Sequence, residues 1–166
     1  AASDVYKRQG HISTRNGVYF LKNRLSEDDY VIIHDAARPI VYQDIIDDLI
    51  EKAKANGNAC SAVSCYETVV LTENRTSGKE QIDRNRIVRV QTPQCYNYGL
   101  IKSLYEKADK DNREDFVYAN ILAMNYGVEI YFSKGTNNNI KITTKDDIAL
   151  FRALLYYINN AEGEEN

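Results

Sequence analysis

The sequence predicts an α/β fold, a mainly parallel sheet flanked by helices, and three observations carry that expectation. A short β-branched run, Val31-Ile32-Ile33, has no polar alternation, as a strand buried on both faces requires. It ends abruptly in His34-Asp35-Ala36-Ala37-Arg38-Pro39, which places an acid at the carboxyl end of a strand, where open α/β sheets bind ligands. Strand-like and helix-like segments then alternate through the rest of the chain.

Taken in order, Val18, Leu21 and Leu25 recur at helical steps from Thr14 onward and predict a helix that ends before Glu27-Asp28-Asp29. Residues 1–9 show no period joined to it and are read as a non-native leader outside the fold. Strand Tyr30–His34 follows. Tyr42–Asn56 is predicted as a helix with the stripe Ile45, Ile46, Leu49, Ile50 and Ala53, stopped by Asn56-Gly57. Ala59–Cys65 reads as a buried strand. In the segment 66–90, strand-like Thr68–Thr72, a polar turn and the run Ile87–Val90 predict a protruding hairpin, to which spacing alone assigns no function.

Asn97–Ala108 is predicted as a helix burying Leu100, Ile101, Leu104 and Tyr105, and a further helix spans 114–125 with Gly127 at its end. Strands are expected at Val128–Phe132 and Ile140–Thr143. Thr144-Lys145-Asp146-Asp147 resembles a capping box with Asp in place of Glu and opens a last helix through Ile158. Residues 161–166 are read as a disordered tail, so the domain spans 10–160.

The composition, 43% hydrophobic and 27% charged over 166 residues, suits one globular domain with a real core. A net charge of −3 gives no global basic field for nucleic acid or anionic membrane. No apolar stretch approaches the length of a membrane span. Cys60, Cys65 and Cys95 form neither a disulfide framework nor a CxxC pair, and two histidines, His11 and His34, argue against zinc. Free buried thiols in a cytoplasmic protein are expected.

Three ordered motifs carry a family resemblance: Ile33-His34-Asp35-Ala36-Ala37-Arg38-Pro39, Thr92-Pro93-Gln94 and Asn139-Ile140-Lys141-Ile142-Thr143. Together they resemble the bacterial cytidylyltransferases that load a polyol phosphate onto CTP, over a span from about Gly10 to Tyr157. The resemblance implies a Rossmann-like nucleotidyltransferase fold and Mg²⁺-dependent transfer of CMP from CTP, with release of pyrophosphate. It also implies a homodimer joined through a β-arm at about residues 66–90. 2-C-methyl-D-erythritol 4-phosphate is the first expected acceptor, and ribitol 5-phosphate or another wall polyol phosphate is the alternative. The family's opening strand and glycine-rich triphosphate loop have no counterpart here. The chain is therefore read as lacking its first strand-loop unit. A catalytically inactive fragment that only folds or dimerises is the expectation from another class.

The resemblance also distributes roles. Asp35 would hold Mg²⁺, although a turn-forming aspartate explains the same residue without chemistry. Arg38 would orient the acceptor phosphate; on its own it reads equally as a partner of Asp44 or Asp47. Lys141, on the opposite face of its expected strand from Ile140 and Ile142, would neutralise phosphate charge. Thr68 and Arg84 match arm residues that hold the acceptor in the neighbouring subunit's site, with Asp83-Arg84-Asn85 giving the local pattern. Gly10, Arg15 and Gly17 resemble the start of a G-G-x-x-R-x-x-S-V segment that contacts the nucleotide. One residue fewer stands between Arg15 and Val18, and Gly17 occupies the usual serine's place. Thr92-Pro93-Gln94 is read as shaping the turn after the arm. Val117-Tyr118-Ala119-Asn120 stands where the family carries Thr-Asp-Glu/Asp-Ala, which implies a different acceptor or a decayed site.

Overall fold

The computed structural model describes the backbone of residues 2–161 and the side chains of residues 9–160. In chain order the elements are α1 (Ala2–Phe20), β1 (Tyr30–Ile33), α2 (Gln43–Asn56), β2 (Asn58–Ser64), β3 (Val69–Leu71), β4 (Glu80–Ile82), β5 (Val88–Asn97), α3 (Tyr98–Lys110), α4 (Ala119–Asn125), β6 (Phe132–Lys134) and α5 (Lys145–Ala161). The main sheet has the order β1-β5-β2-β6, and β3 and β4 form a separate hairpin.

The α/β class holds, but the sheet is mixed. β2 and β6 pair in parallel, whereas β5 is antiparallel to both of its neighbours, β1 and β2. The excursion through the hairpin is the cause. The chain leaves the sheet after Ser64, runs out and back through β3 and β4, and re-enters beside the strand it left. A returning strand joined in this way needs no crossover helix and lies antiparallel.

Period two in the strands sorts two cores. Ala59 and Cys95 pack with Leu49 and Ala53 of α2. Their chain neighbours Cys60 and Tyr96 face the other way, into a larger core with Ile101, Leu104 and Tyr105 of α3 and Leu122 of α4. The α2 stripe is buried at Ile45, Leu49 and Ala53, and Gly57 ends the helix at φ 83°, its N–H bonded to Ala53 O. At the start of α3, Asn97 Oδ1 accepts from the Leu100 N–H. Tyrosines fill much of the larger core because their hydroxyls find partners there; Tyr98 donates to Val18 O at 3.0 Å.

Several boundaries differ from expectation. The α1 helix begins at Ala2 and passes without a break through the segment read as a leader. No glycine or proline interrupts residues 2–9, and Lys7, Arg8 and Gln9 are good helix formers. β3 pairs with β4, not with the run Ile87–Val90, of which Val88 onward belongs to β5 of the main sheet. A turn built on Asn74 Oδ1, which accepts from the Thr76 and Ser77 N–H groups, closes the shorter hairpin. α4 starts at Ala119 and not at 114, because Arg113 grips Asp115 with two nitrogens and lies 4.2 Å above the Phe116 ring, holding that stretch outside the helix. β6 begins at Phe132, since Val128 is spent on the Gly127 cap, bonding Ala123 O. Ile140–Thr143 is not a strand: one backbone bond, Ile142 N–H to Ala37 O at 2.8 Å, ties it to the turn after β1.

The capping box at α5 forms in both directions. Asp147 Oδ2 accepts from the Thr144 N–H, and Thr144 Oγ1 accepts from the Asp147 N–H. Hydrogen bonds from the backbone and hydroxyl groups of Thr143 and Thr144 hold the Asp147 carboxyl down to about 2, from its usual 3.8. Because its folded value is depressed, this stabilisation is present above the unfolded value and lost as pH falls toward 2. The helicity difference between wild type and Asp147→Ala, read by circular dichroism, should be present at pH 5 and vanish near pH 2.

The three cysteines are buried and free. Burial pushes the Cys60 thiol up to about 12 and Cys95 to about 11. Neither is a thiolate at neutral pH, so iodoacetamide should label both only after denaturation; rapid labelling of either in the native protein would contradict this packing. Among the described residues, no helix is long and apolar enough to cross a membrane. Residues 162–166, most of the expected tail, lie outside the described residues.

Candidate active site

The turn after β1 brings three motifs that are distant in sequence to one place. Asp35 donates its N–H to Thr92 Oγ1 of β5 at 3.0 Å. Lys141 Nζ donates to Asp35 Oδ2 at 2.8 Å, and Arg38 Nε lies 3.5 Å from the same oxygen. Arg38 also donates from a terminal nitrogen to Asn139 O at 2.7 Å, and the buried Asn139 donates to Thr92 O at 2.7 Å. One carboxylate thus faces two cations, and β5 fixes the turn and the Asn139–Lys141 segment together. Arg38 pairs with neither Asp44 nor Asp47; Asp44 bonds Lys134.

Two cavities meet at this point. The first, about 260 Å³, is lined by Gly10, Thr14, Val117 and Lys141. The second, about 310 Å³, is lined by Arg38, Gln91, Asn120 and Met124. Asp35, Thr92, Gln94 and Tyr118 line both and form the wall between them. Each cavity therefore has its own cation, with the shared carboxylate between. The Lys141 ammonium also lies 5.5 Å from the centre of the Tyr118 ring, which favours a cation over its face.

The remaining sequence candidates are distributed unevenly. Gly10 lines the first cavity, and a Cβ there would stand 3.0 Å from Val117 O, so glycine lets α1 approach that segment closely. Arg15 turns to Asp109 at 2.8 Å and Glu114 at 3.5 Å, and Gly17 lines a separate apolar groove with Phe20 and Ile32. Neither lines the two cavities. Thr68 and Arg84 lie in the hairpin region outside both cavities of their own chain, where Arg84 donates to Tyr66 O at 3.1 Å.

Sequence reasoning missed Thr92 and Gln94 as site residues. They sit not in a turn but inside β5, and their spacing of two puts both on the face that lines the cavities. That spacing was the available signal. Tyr118 and Asn120 stand out in the sequence only as departures from the family pattern; the helix expected over 114–125 begins at Ala119 instead, which puts Tyr118 at its cap and Asn120 in its first turn.

As for a metal, no group of three or more His, Cys, Asp or Glu is gathered among the described residues. Mg²⁺ that arrives on phosphates takes only one or two protein carboxylates. Asp35, the one carboxylate among the residues lining the two cavities, would meet that lesser demand through Oδ1, since both cations face its Oδ2.

The model of the 2-C-methyl-D-erythritol 4-phosphate cytidylyltransferase family matches residues 10–157. The chain belongs to that family. Within this cytidylyltransferase family it is 39% identical over 145 residues to ribitol-5-phosphate cytidylyltransferase of Lacticaseibacillus paracasei, covering 86% of this chain and 62% of that protein. It is 35% identical over 133 residues to 2-C-methyl-D-erythritol 4-phosphate cytidylyltransferase of Clostridium novyi, covering 80% and 57%. The crystal structure of the Francisella tularensis 2-C-methyl-D-erythritol 4-phosphate cytidylyltransferase superposes with a TM-score of 0.70 at 30% identity, over 86% of this chain and 66% of that one. The chain thus spans about three fifths of the length of these curated cytidylyltransferases.

Proposed function

We propose that the protein containing this chain transfers CMP from CTP to a polyol phosphate. The observation that carries the reading is the convergence of Asp35, Arg38 and Lys141 on the wall between two cavities, one cation to each. Two phosphorylated substrates need such a pair of adjoining sites. In the transfer, an acceptor phosphate oxygen forms a bond to the α-phosphorus of CTP. The bond from that phosphorus to the bridging oxygen breaks, and pyrophosphate leaves with the electron pair.

Little covalent work falls to the protein; it must position and neutralise. Lys141 neutralises nucleotide phosphate charge in the first cavity. Arg38 presents its guanidinium to the acceptor phosphate in the second. Asp35 orients both cations and would hold Mg²⁺, which supplies further charge neutralisation when bound with the triphosphate. Gly10 lets the α1 backbone border the nucleotide. The hairpin exposes Val70 and Leu71 as well as Arg84, which supports pairing of two subunits through this arm. Thr68 and Arg84 then reach the partner's acceptor cavity.

2-C-methyl-D-erythritol 4-phosphate is the first acceptor to test. Ribitol 5-phosphate is the second reading, favoured by the 39% identity to a ribitol-5-phosphate cytidylyltransferase. The complete reading frame incubated with CTP, Mg²⁺ and each phosphate in turn, then analysed by mass spectrometry, should yield a CDP-polyol with one of them. A folded protein that yields none would support a chain that only folds or dimerises.

A further inference from the structure

The second cavity is backed by a buried polar chain that the transfer chemistry does not use. Cys60 Sγ lies 3.5 Å from the Tyr96 hydroxyl oxygen, Tyr96 donates to Gln94 Oε1 at 2.9 Å, and Gln94 Nε2 donates to Asn120 Oδ1 at 3.2 Å. Gln94 is 3% and Asn120 5% exposed, so water does not compete for these groups. The chain has a direction. The Tyr96 hydrogen takes the Gln94 oxygen, which turns the Gln94 amide nitrogen toward Asn120, and Asn120 answers with its oxygen. Its Nδ2 has no protein hydrogen-bond partner among the described residues and is the end left for the cavity that Asn120 lines with Arg38.

Asp35, the one carboxylate lining that cavity, is already faced by both Lys141 and Arg38. Arg38 and the Asn120 Nδ2 group are donors, and Val90, Ile121 and Met124 supply an apolar wall. Such a cavity suits an oxygen-rich anion with a short carbon chain. We propose that Asn120 is a specificity-determining residue for the acceptor: its Nδ2 donates to an oxygen of the polyol phosphate held beside Arg38. Gln94 and Tyr96 are positioning residues that fix this donor orientation. The inference rests on the assignment of the second cavity to the acceptor.

Calorimetric titration tests it without requiring turnover. Wild type, Asn120→Asp and Tyr96→Phe, each in the complete reading frame, are titrated with ribitol 5-phosphate, with 2-C-methyl-D-erythritol 4-phosphate, and separately with CTP and Mg²⁺. Asn120→Asp keeps the shape and an oxygen for Gln94 but replaces the donor with an acceptor. It should weaken the polyol phosphate that wild type binds by about ten-fold or more, leaving CTP affinity within about two-fold. Tyr96→Phe removes the hydroxyl that orients Gln94 and should weaken the same phosphate by a smaller factor. Mere loss of packing would instead lower the thermal midpoint and weaken both ligands together.

Unchanged acceptor affinity in Asn120→Asp, equal losses for CTP and acceptor, or a wild type that binds CTP but neither phosphate would each overturn the proposal. An effect of Asn120→Asp with none from Tyr96→Phe would overturn the relay. A wild type that binds the phosphate through Asn120 yet forms no CDP-polyol supports the inference and contradicts the transfer reading.

Discussion

Asp35→Asn is expected to lower the turnover of CTP and polyol phosphate by at least about a hundred-fold, the scale seen when one preorganised electrostatic group is removed from an active site. Asparagine keeps the shape of the side chain and removes its charge. Lys141 at 2.8 Å and Arg38 at 3.5 Å then share a neutral partner, and each is drawn away from its cavity toward other oxygens. The substitution also removes the carboxylate that fits Mg²⁺. The loss should therefore fall on kcat, and raising Mg²⁺ should not restore it. Pyrophosphate release measured across a Mg²⁺ titration decides the matter. A variant within about three-fold of wild type would show that Asp35 is the turn-forming residue its sequence context also allows. Thermal unfolding alongside separates a lost site from a lost fold.

Leu122→Ala is expected to destabilise the protein by about 3 kcal/mol, within the range for emptying a fully packed leucine site. Leu122 is 0% exposed and packs in the larger core with α3. α4 has seven residues, far too few to be helical on its own strength, so its position depends on this packing. Tyr118 and Asn120 sit at its start, which couples the stability of one leucine to the geometry of the second cavity. The midpoint of urea unfolding should fall while its slope stays constant. Met124, on the same helix but 48% exposed, serves as the comparison, and Met124→Ala should change stability by no more than about 0.5 kcal/mol. Equal effects of the two substitutions would contradict the placement of α4.

Much of the fold could be read from residue patterns, and the family resemblance singled out Asp35, Arg38 and Lys141, which the folded chain brings together. The helices α2 and α3 and the strands β1 and β2 stand close to their expected places, because apolar periodicity, Gly57 and the Asn97 cap are local signals. The reversed direction of β5 was not readable, since a strand's sequence does not encode which neighbour it meets or from which end. Lys141 reached its partner by a different route from the one expected. No strand period places it; a single backbone bond to the turn after β1 and the Asn139 anchor to Thr92 do so. Both are long-range contacts that only the folded chain reveals. The same is true of Asn120, whose significance depends on Tyr96 and Gln94 in another element.

The most direct measurement is the initial rate of pyrophosphate release by the complete reading frame, with CTP and Mg²⁺ present, as polyol phosphate is added. A site with one cation in each of two adjoining cavities should release pyrophosphate only when the acceptor is supplied, with saturation in both substrates. Release at the same rate without acceptor, or none with either polyol phosphate from a folded protein, would contradict transfer as the function.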